Sequence, residues 1–369
     1  MIYFDNNATT PIDDRVLEAM LPFLRAFYGN PSSLYRHGRL VRSAIDTARE
    51  QVANLVGTRS TQVIFTSGGT EANNLALFAI NPKSKLAISA IEHPCISEPA
   101  EYLAGQGHEL KLIGVDRNGL VTQEAIDEIV QYKPGLVSIM LANNETGVIQ
   151  DIARYAHQLR DKGIIVHTDA VQALGKIPVD FNQLGVNMMS LSSHKIYGPK
   201  GCGALVFDKS VNLKPMLLGG GQEQGFRAGT ENSPAIIGFG KAAELAGVEL
   251  AQRAEHLLRL RKLLEDRLKA IPGISIFAKD AGRLPNTVQF GIEGMDGEML
   301  LMKLDQKGIA ISSGSACASG GGKPSPVLAA MGVSAELAKS AIRVSLGKDN
   351  TEAEVIEFIN VLKILATPG

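Results

Sequence analysis

Short, uninterrupted apolar runs recur through the first half of the chain: Val63-Ile-Phe-Thr, Lys85-Leu-Ala-Ile-Ser, Leu136-Val-Ser-Ile-Met-Leu, Ile164-Ile-Val-His and Met188-Met-Ser-Leu. They do not alternate apolar with polar positions, the pattern expected of strands covered on both faces. Segments that read as helices separate them, beginning with Glu71 to Leu77 after the first run. Strands separated by helices predict a mostly parallel sheet in an α/β domain. Ligands of such sheets bind beyond the carboxyl ends of the strands, so the residues just after each run are the first candidates for chemistry.

The pattern changes near Glu249. Leu257, Leu260, Leu264, Leu268 and Ile271 fall at helical spacing until Pro272-Gly273 stops the run. This predicts a long helix leading into a second, C-terminal unit. Within that unit, short strands are expected around Thr287–Phe290 and Ile309–Ser312, with helices near Pro326–Ala330 and Glu352–Leu365. The length of 369 residues is consistent with two domains, being more than one core normally serves.

Composition narrows the function. The chain is 45% hydrophobic and 20% charged with a net charge of -1, and no stripe of Lys or Arg argues for a nucleic-acid partner. The N-terminus lacks the basic and apolar stretches of a secretory signal, and no apolar run approaches the ~18 residues of a membrane span. A cytoplasmic protein with no membrane partner is the expectation. Cys95, Cys202 and Cys317 are far apart and form no CxxC pair, so neither a disulfide framework nor a structural zinc site is expected. Cys95 and Cys202 read as small buried hydrophobes. Cys317 lies among Ser, Ala and Gly with little apolar bulk to bury it, and an exposed loop thiol can act as a thiolate nucleophile.

Three constellations carry chemistry. Thr66-Ser-Gly-Gly-Thr-Glu-Ala-Asn-Asn follows a strand and opens a helix, a place where backbone N–H groups and the helix dipole favour an anion; a plain capped turn fits the local pattern equally well. Ile164-Ile-Val-His-Thr-Asp-Ala-Val-Gln delivers Asp169 to a strand end. Met188-Met-Ser-Leu-Ser-Ser-His-Lys-Ile-Tyr-Gly-Pro-Lys-Gly-Cys-Gly delivers Ser192, His194 and Lys195 to another. A lysine beside a buried acid and an anion site fits the lysine that binds pyridoxal phosphate, with the acid keeping the pyridinium nitrogen protonated.

The motif Ser-x-His-Lys-x-x-Gly-Pro-x-Gly-x-Gly resembles the lysine motif of class V aminotransferase-like enzymes. Tyr3-Phe-Asp-Asn-Asn-Ala-Thr-Thr-Pro, Gly29-Asn-Pro-Ser-Ser, Glu92-His-Pro, Asn143-Asn-Glu-Thr-Gly, Arg227-Ala-Gly-Thr-Glu-Asn and Ser312-Ser-Gly-Ser-Ala-Cys-Ala-Ser narrow the resemblance to NifS/IscS-type cysteine desulfurases. It runs from residue 3 to beyond 340. It implies the pyridoxal-phosphate-dependent transferase fold type I: a large domain over residues 14–250 and a smaller α+β domain formed by 1–13 and 251–369, carrying the catalytic-cysteine loop. It implies that Lys195 holds the cofactor, Asp169 pairs with its ring nitrogen, His93 stacks on the ring and Gln172 contacts the ring hydroxyl. Asn144 should lie near ring and substrate, and Gly69, Thr70, Ser192 and His194 around the phosphate. Thr230 should reach the phosphate of a neighbouring subunit, which makes a homodimer the active unit. Arg343 should bind the substrate carboxylate, a task suited to a planar guanidinium.

The implied reaction takes sulfur from L-cysteine. Lys195, freed by substrate, removes the Cα proton, with His93 as a second acid–base group; Cys317 then attacks the sulfur, giving a persulfide and alanine. A class V aminotransferase or selenocysteine lyase of the same fold is the rival. A non-catalytic sulfur or iron–sulfur carrier using Cys317 as a transient ligand would leave Asp169, His93, Gln172 and Lys195 unexplained, and no other metal ligand is expected. Two features depart from the family pattern. The chain ends at Gly369, soon after the last expected helix, where housekeeping members continue into a tail that helps dock the iron–sulfur scaffold, so the sulfur acceptor stays open. The phosphate turn reads Gly68-Gly69-Thr70 where many relatives have Gly-Ala-Thr, a change expected to be harmless.

Overall fold

The computed structural model describes residues 1–313 and 324–366. Cys317 and the glycines that follow it lie outside the described residues. Those described form thirteen strands: β1 (Ile2–Tyr3), β2 (Val63–Thr66), β3 (Leu86–Ser89), β4 (Leu110–Ile113), β5 (Leu136–Ser138), β6 (Ile165–Asp169), β7 (Met188–Ser192), β8 (Gly203–Phe207), β9 (Ile274–Ile276), β10 (Thr287–Ile292), β11 (Ile309–Ala310), β12 (Ser312–Ser313) and β13 (Ile342–Ser345).

Seven of them build one sheet in the order β2-β8-β7-β6-β5-β3-β4. All neighbours are parallel except β8, which runs antiparallel to both β2 and β7. Both faces are covered, as the continuous apolar runs predict. Val63, Phe65, Val137, Met189 and Leu191 enter the core on one face, while Ile64, Leu136 and Met188 enter a second core on the other. β5 is shorter than its apolar run, although the Ile139 and Leu141 N–H groups continue pairing with the carbonyls of His167 and Asp169.

The long helix is longer than its leucine spacing predicts. It spans Ser233–Leu268, with Asn232 capping it and Pro234 in its first turn, and residue 250 lies inside it. Its first half escapes a periodicity argument because it is built from small residues pressed against the helix Arg36–Leu55. A Cβ on Gly240 would lie 2.5 Å from the Cα of Ala48, so this contact selects glycine rather than leucine. The second half carries Leu257, Leu260, Leu264 and Leu268 into a separate core with Phe4, Phe290, Val344 and Phe358.

That core lies on an antiparallel sheet of order β12-β13-β10-β9. The run at 309–312 is split: β11 pairs in parallel with β1, while β12 pairs with β13. The N-terminal strand thereby joins the C-terminal half of the chain, bringing residues 5 to 10 to the edge of the large sheet. Among the described residues no helix is long and apolar enough to cross a membrane.

Candidate active site

The carboxyl ends of the parallel strands converge. β6 ends in Asp169, which is buried; its Oδ1 accepts the Val171 N–H at 2.9 Å and its Oδ2 accepts from Asn73 Nδ2 at 2.7 Å. β7 ends in Ser192 and turns through a short 3₁₀ segment, Ser193–Lys195. The Lys195 ammonium donates to the carbonyls of Asn7 and Ala8, the latter at 2.6 Å. β2 leads into the glycine turn that opens the helix Gly69–Leu77. β8 packs so closely on this turn that a Cβ at Gly203 would lie 2.5 Å from the carbonyl carbon of Gly68. Past β3, His93 caps the helix Pro94–Gly105, its Nδ1 accepting the Cys95 N–H at 3.2 Å.

These ends open on a cavity of about 690 Å³. Gly69, Thr70, His93, Asn144, Asp169, Gln172, Ser192, His194, Lys195 and Arg343 all line it. Nearly every residue singled out from sequence is thus brought together. Thr230 is exposed and does not line the cavity, and Cys317 lies outside the described residues.

Several residues at the site were not singled out from sequence. Asn7 is a hub: its carbonyl accepts from Gln172 Nε2 and Lys195, its Oδ1 from Lys176 and Asn286, and its Nδ2 donates to Thr287 and the Asn144 carbonyl. Lys176 is buried and donates to Gln172 Oε1 at 2.9 Å, which turns the Gln172 amide so that its NH₂ end is the donor. Asp5 holds the Arg343 guanidinium at 2.7 Å, and the Asn144 carbonyl accepts from it at 3.0 Å; the buried Nε of Arg343 has no hydrogen-bond partner among the described residues. Cys95 corrects an expectation. It is only partly buried, lines the cavity and is hydrogen-bonded, whereas Cys202 is the buried hydrophobe expected.

Burial sets the protonation of the surroundings. It pushes the Glu92 carboxyl up to about 8, with nearby Asp169 adding to the effect. It lowers His167 to about 3, and lowers His194 to about 4 with help from Lys195. The same desolvation lowers Lys176 well below the ordinary lysine range and also lowers His93.

The residues fit a phosphate-bearing cofactor. Ser192 Oγ is buried without a hydrogen-bond partner among the described residues, beside the N-terminus of a nine-residue helix where anions are favoured. The backbone at Gly69 is pressed from below: a Cβ there would lie 3.0 Å from Val171 Cγ2 and 3.6 Å from Ser192 Cβ. Glycine rather than alanine at this point therefore goes with the valine beneath it.

A lysine, a buried aspartate and a glycine turn gathered at the mouth of a parallel sheet define an α/β enzyme of the kind that holds a phosphorylated cofactor. The model of the family "Aminotransferase class-V" matches residues 2–358, and the chain belongs to this pyridoxal-phosphate-dependent family. It is 42% identical over 368 residues to the cysteine desulfurase IscS of Dictyoglomus turgidum, covering 98% of this chain and 93% of that one. It is 43% identical to the IscS of Methanosarcina thermophila, over 98% and 91% of the two chains. A NifS-like protein of Rickettsia africae, solved by X-ray diffraction, superposes with a TM-score of 0.90 at 36% identity over 99% of both chains.

Proposed function

We propose that this chain is a cysteine desulfurase that converts L-cysteine to L-alanine and leaves the sulfur as a persulfide on Cys317. The observation that carries the reading is the convergence of Lys195, Asp169 and the Gly69 turn on one cavity, in a chain with full-length cysteine desulfurase relatives. Pyridoxal phosphate, when bound, supplies an electron sink for carbanion chemistry at the substrate Cα.

The protein's own groups do the rest. Gly69, Thr70, Ser192 and His194 would hold the phosphate, with the helix dipole behind them. Asp169, aimed by Asn73 and the Val171 N–H, would pair with the ring nitrogen. His93 would lie against the ring, and Gln172, its amide oriented by Lys176, would donate to the ring hydroxyl. Arg343 binds the substrate carboxylate with Asp5 steadying one edge of its fork, and Asn144 stands beside ring and substrate. Lys195 would hold the cofactor, and its free amine would serve as the base that takes the substrate Cα proton. The thiolate of Cys317 attacks the substrate sulfur; an S–S bond forms, the C–S bond breaks with its electron pair left on the substrate carbon skeleton, and alanine leaves once Cβ has taken a proton.

The same proposal divides the chain into a large unit, residues 14–250, and a small one, residues 1–13 with 251–369, and pairs two copies so that Thr230 reaches the partner's phosphate. The acceptor of the persulfide sulfur is a partner protein or iron–sulfur scaffold.

The test is incubation of the purified protein with L-cysteine, followed by alanine assay and mass measurement of the Cys317 peptide. One alanine per sulfur added to Cys317 is expected. Cys317→Ser should release no persulfide, and Lys195→Ala should lose both visible cofactor absorbance and turnover. Alanine formed without sulfur on Cys317, or a normal spectrum in Lys195→Ala, would overturn the assignment.

A further inference from the structure

Two side chains join the carboxylate of Asp169 to the imidazole of His93. Asn73 is fully buried, and its Nδ2 donates one hydrogen to Asp169 Oδ2 at 2.7 Å and the other to Cys95 Sγ at 3.0 Å. Asp169 requires the NH₂ end of that amide, so its orientation is fixed even though Oδ1 has no partner among the described residues. Cys95 Sγ lies in turn 2.9 Å from His93 Nδ1.

The same ring nitrogen accepts the Cys95 backbone N–H, one of the donors that a helix N-terminus leaves unsatisfied. A proton on Nδ1 would face that N–H directly, so Nδ1 is an acceptor and the thiol beside it is the donor. We infer that Cys95 is a positioning residue for His93: its S–H, fixed from behind by Asn73, holds the imidazole neutral with its proton on Nε2, and links it to Asp169. This deepens the reading of the cavity as a pyridoxal phosphate site and rests on it.

The surroundings support the assignment. Burial and Asp169 both push the Cys95 thiol up, so it stays a donor. His93 faces Asp169, Lys195 and Arg343; desolvation is the largest influence on it and acts with the two cations against a second proton, while Asp169 opposes them. A neutral ring whose tautomer is set has one defined task at Nε2, that of hydrogen-bond donor or proton source, while Nδ1 is closed to solvent chemistry.

The test uses ¹⁵N-labelled holoenzyme and two-bond ¹H–¹⁵N spectra of the histidine rings, with the His93 signals identified by their loss in His93→Gln. Wild type and Cys95→Ser should both show the Nε2–H tautomer. Cys95→Ala removes one small group and should give a mixture of tautomers, a shifted pH profile and a roughly fivefold fall in kcat, the worth of one net hydrogen bond, with KM for cysteine nearly unchanged. An alanine variant whose ring stays wholly Nε2–H with wild-type kcat would overturn the inference, because the backbone N–H would then suffice. So would a serine variant that behaves like alanine, or a wild-type ring protonated at Nδ1. Failure of the cofactor reading is separate: wild-type protein would then show no visible band with pyridoxal phosphate, whatever the tautomer of His93.

Discussion

Replacing Glu92 with Gln removes an ionisable group from a place that disfavours its charge. The Glu92 carboxyl is buried next to His93, with Oε1 accepting from Ser89 Oγ at 2.6 Å and from the Met140 N–H at 2.7 Å, while Oε2 has no partner among the described residues. Burial, reinforced by Asp169, raises it from an ordinary 4.5 to about 8. Between those values the folded protein holds a proton that the unfolded chain has released. Wild-type stability is therefore greatest below about pH 4.5 in this respect and declines until the folded group itself ionises near pH 8. One pH unit corresponds to about 1.4 kcal/mol, so the whole decline is on the order of 5 kcal/mol.

Glutamine keeps the shape and the Oε1 acceptor and cannot ionise. The stability difference between Glu92→Gln and wild type should then grow in favour of the variant by about 1.4 kcal/mol per pH unit between about pH 5 and pH 8. For a chain of 369 residues the unfolding entropy is roughly 0.8 kcal/mol per kelvin, so the melting temperatures should diverge by about 2 °C per pH unit. Calorimetry or guanidinium unfolding of both proteins across that range measures the difference, in which the other titrating groups cancel. Curves that stay parallel, or that converge as pH rises, would refute the reasoning by showing that Glu92 ionises in the folded protein as readily as in water.

Two further substitutions probe the cofactor and substrate ends of the cavity. Arg343→Lys replaces a fork that spans Asp5 and the Asn144 carbonyl with a point charge, and should raise KM for cysteine by roughly 10- to 100-fold in steady-state kinetics while leaving bound cofactor unchanged. Gly203→Ala forces a methyl group against the Gly68 backbone and the Leu191 carbonyl, and should cost about 1–3 kcal/mol in unfolding experiments and weaken cofactor binding through the displaced turn.

What the sequence makes legible is what lies close together along the chain. Lys195, Asp169 and the Gly69 turn each follow an apolar run directly, and a strand end in a parallel sheet is a predictable address. The first half of the helix Ser233–Leu268 was hidden because glycine and alanine there answer to the close approach of another helix, which periodicity does not record. The supports of the site were hidden for a related reason. Glu92 and Cys95 stand beside His93 in sequence, yet their effect depends on Asp169 and Asn73, on other elements. Asn7 is the extreme case: its partners include Asn144, Gln172, Lys176, Asn286 and Thr287, so one residue ties Lys195, the large sheet and the antiparallel sheet into a single network. An asparagine in the fourth position after a two-residue strand carries no such meaning by itself. It acquires that meaning because β1 pairs with β11, and this pairing carries residues 5 to 8 across to the carboxyl ends of β6 and β7. The N-terminal segment is therefore part of the cavity wall for a topological reason, with Asn7 hydrogen-bonded from both sides.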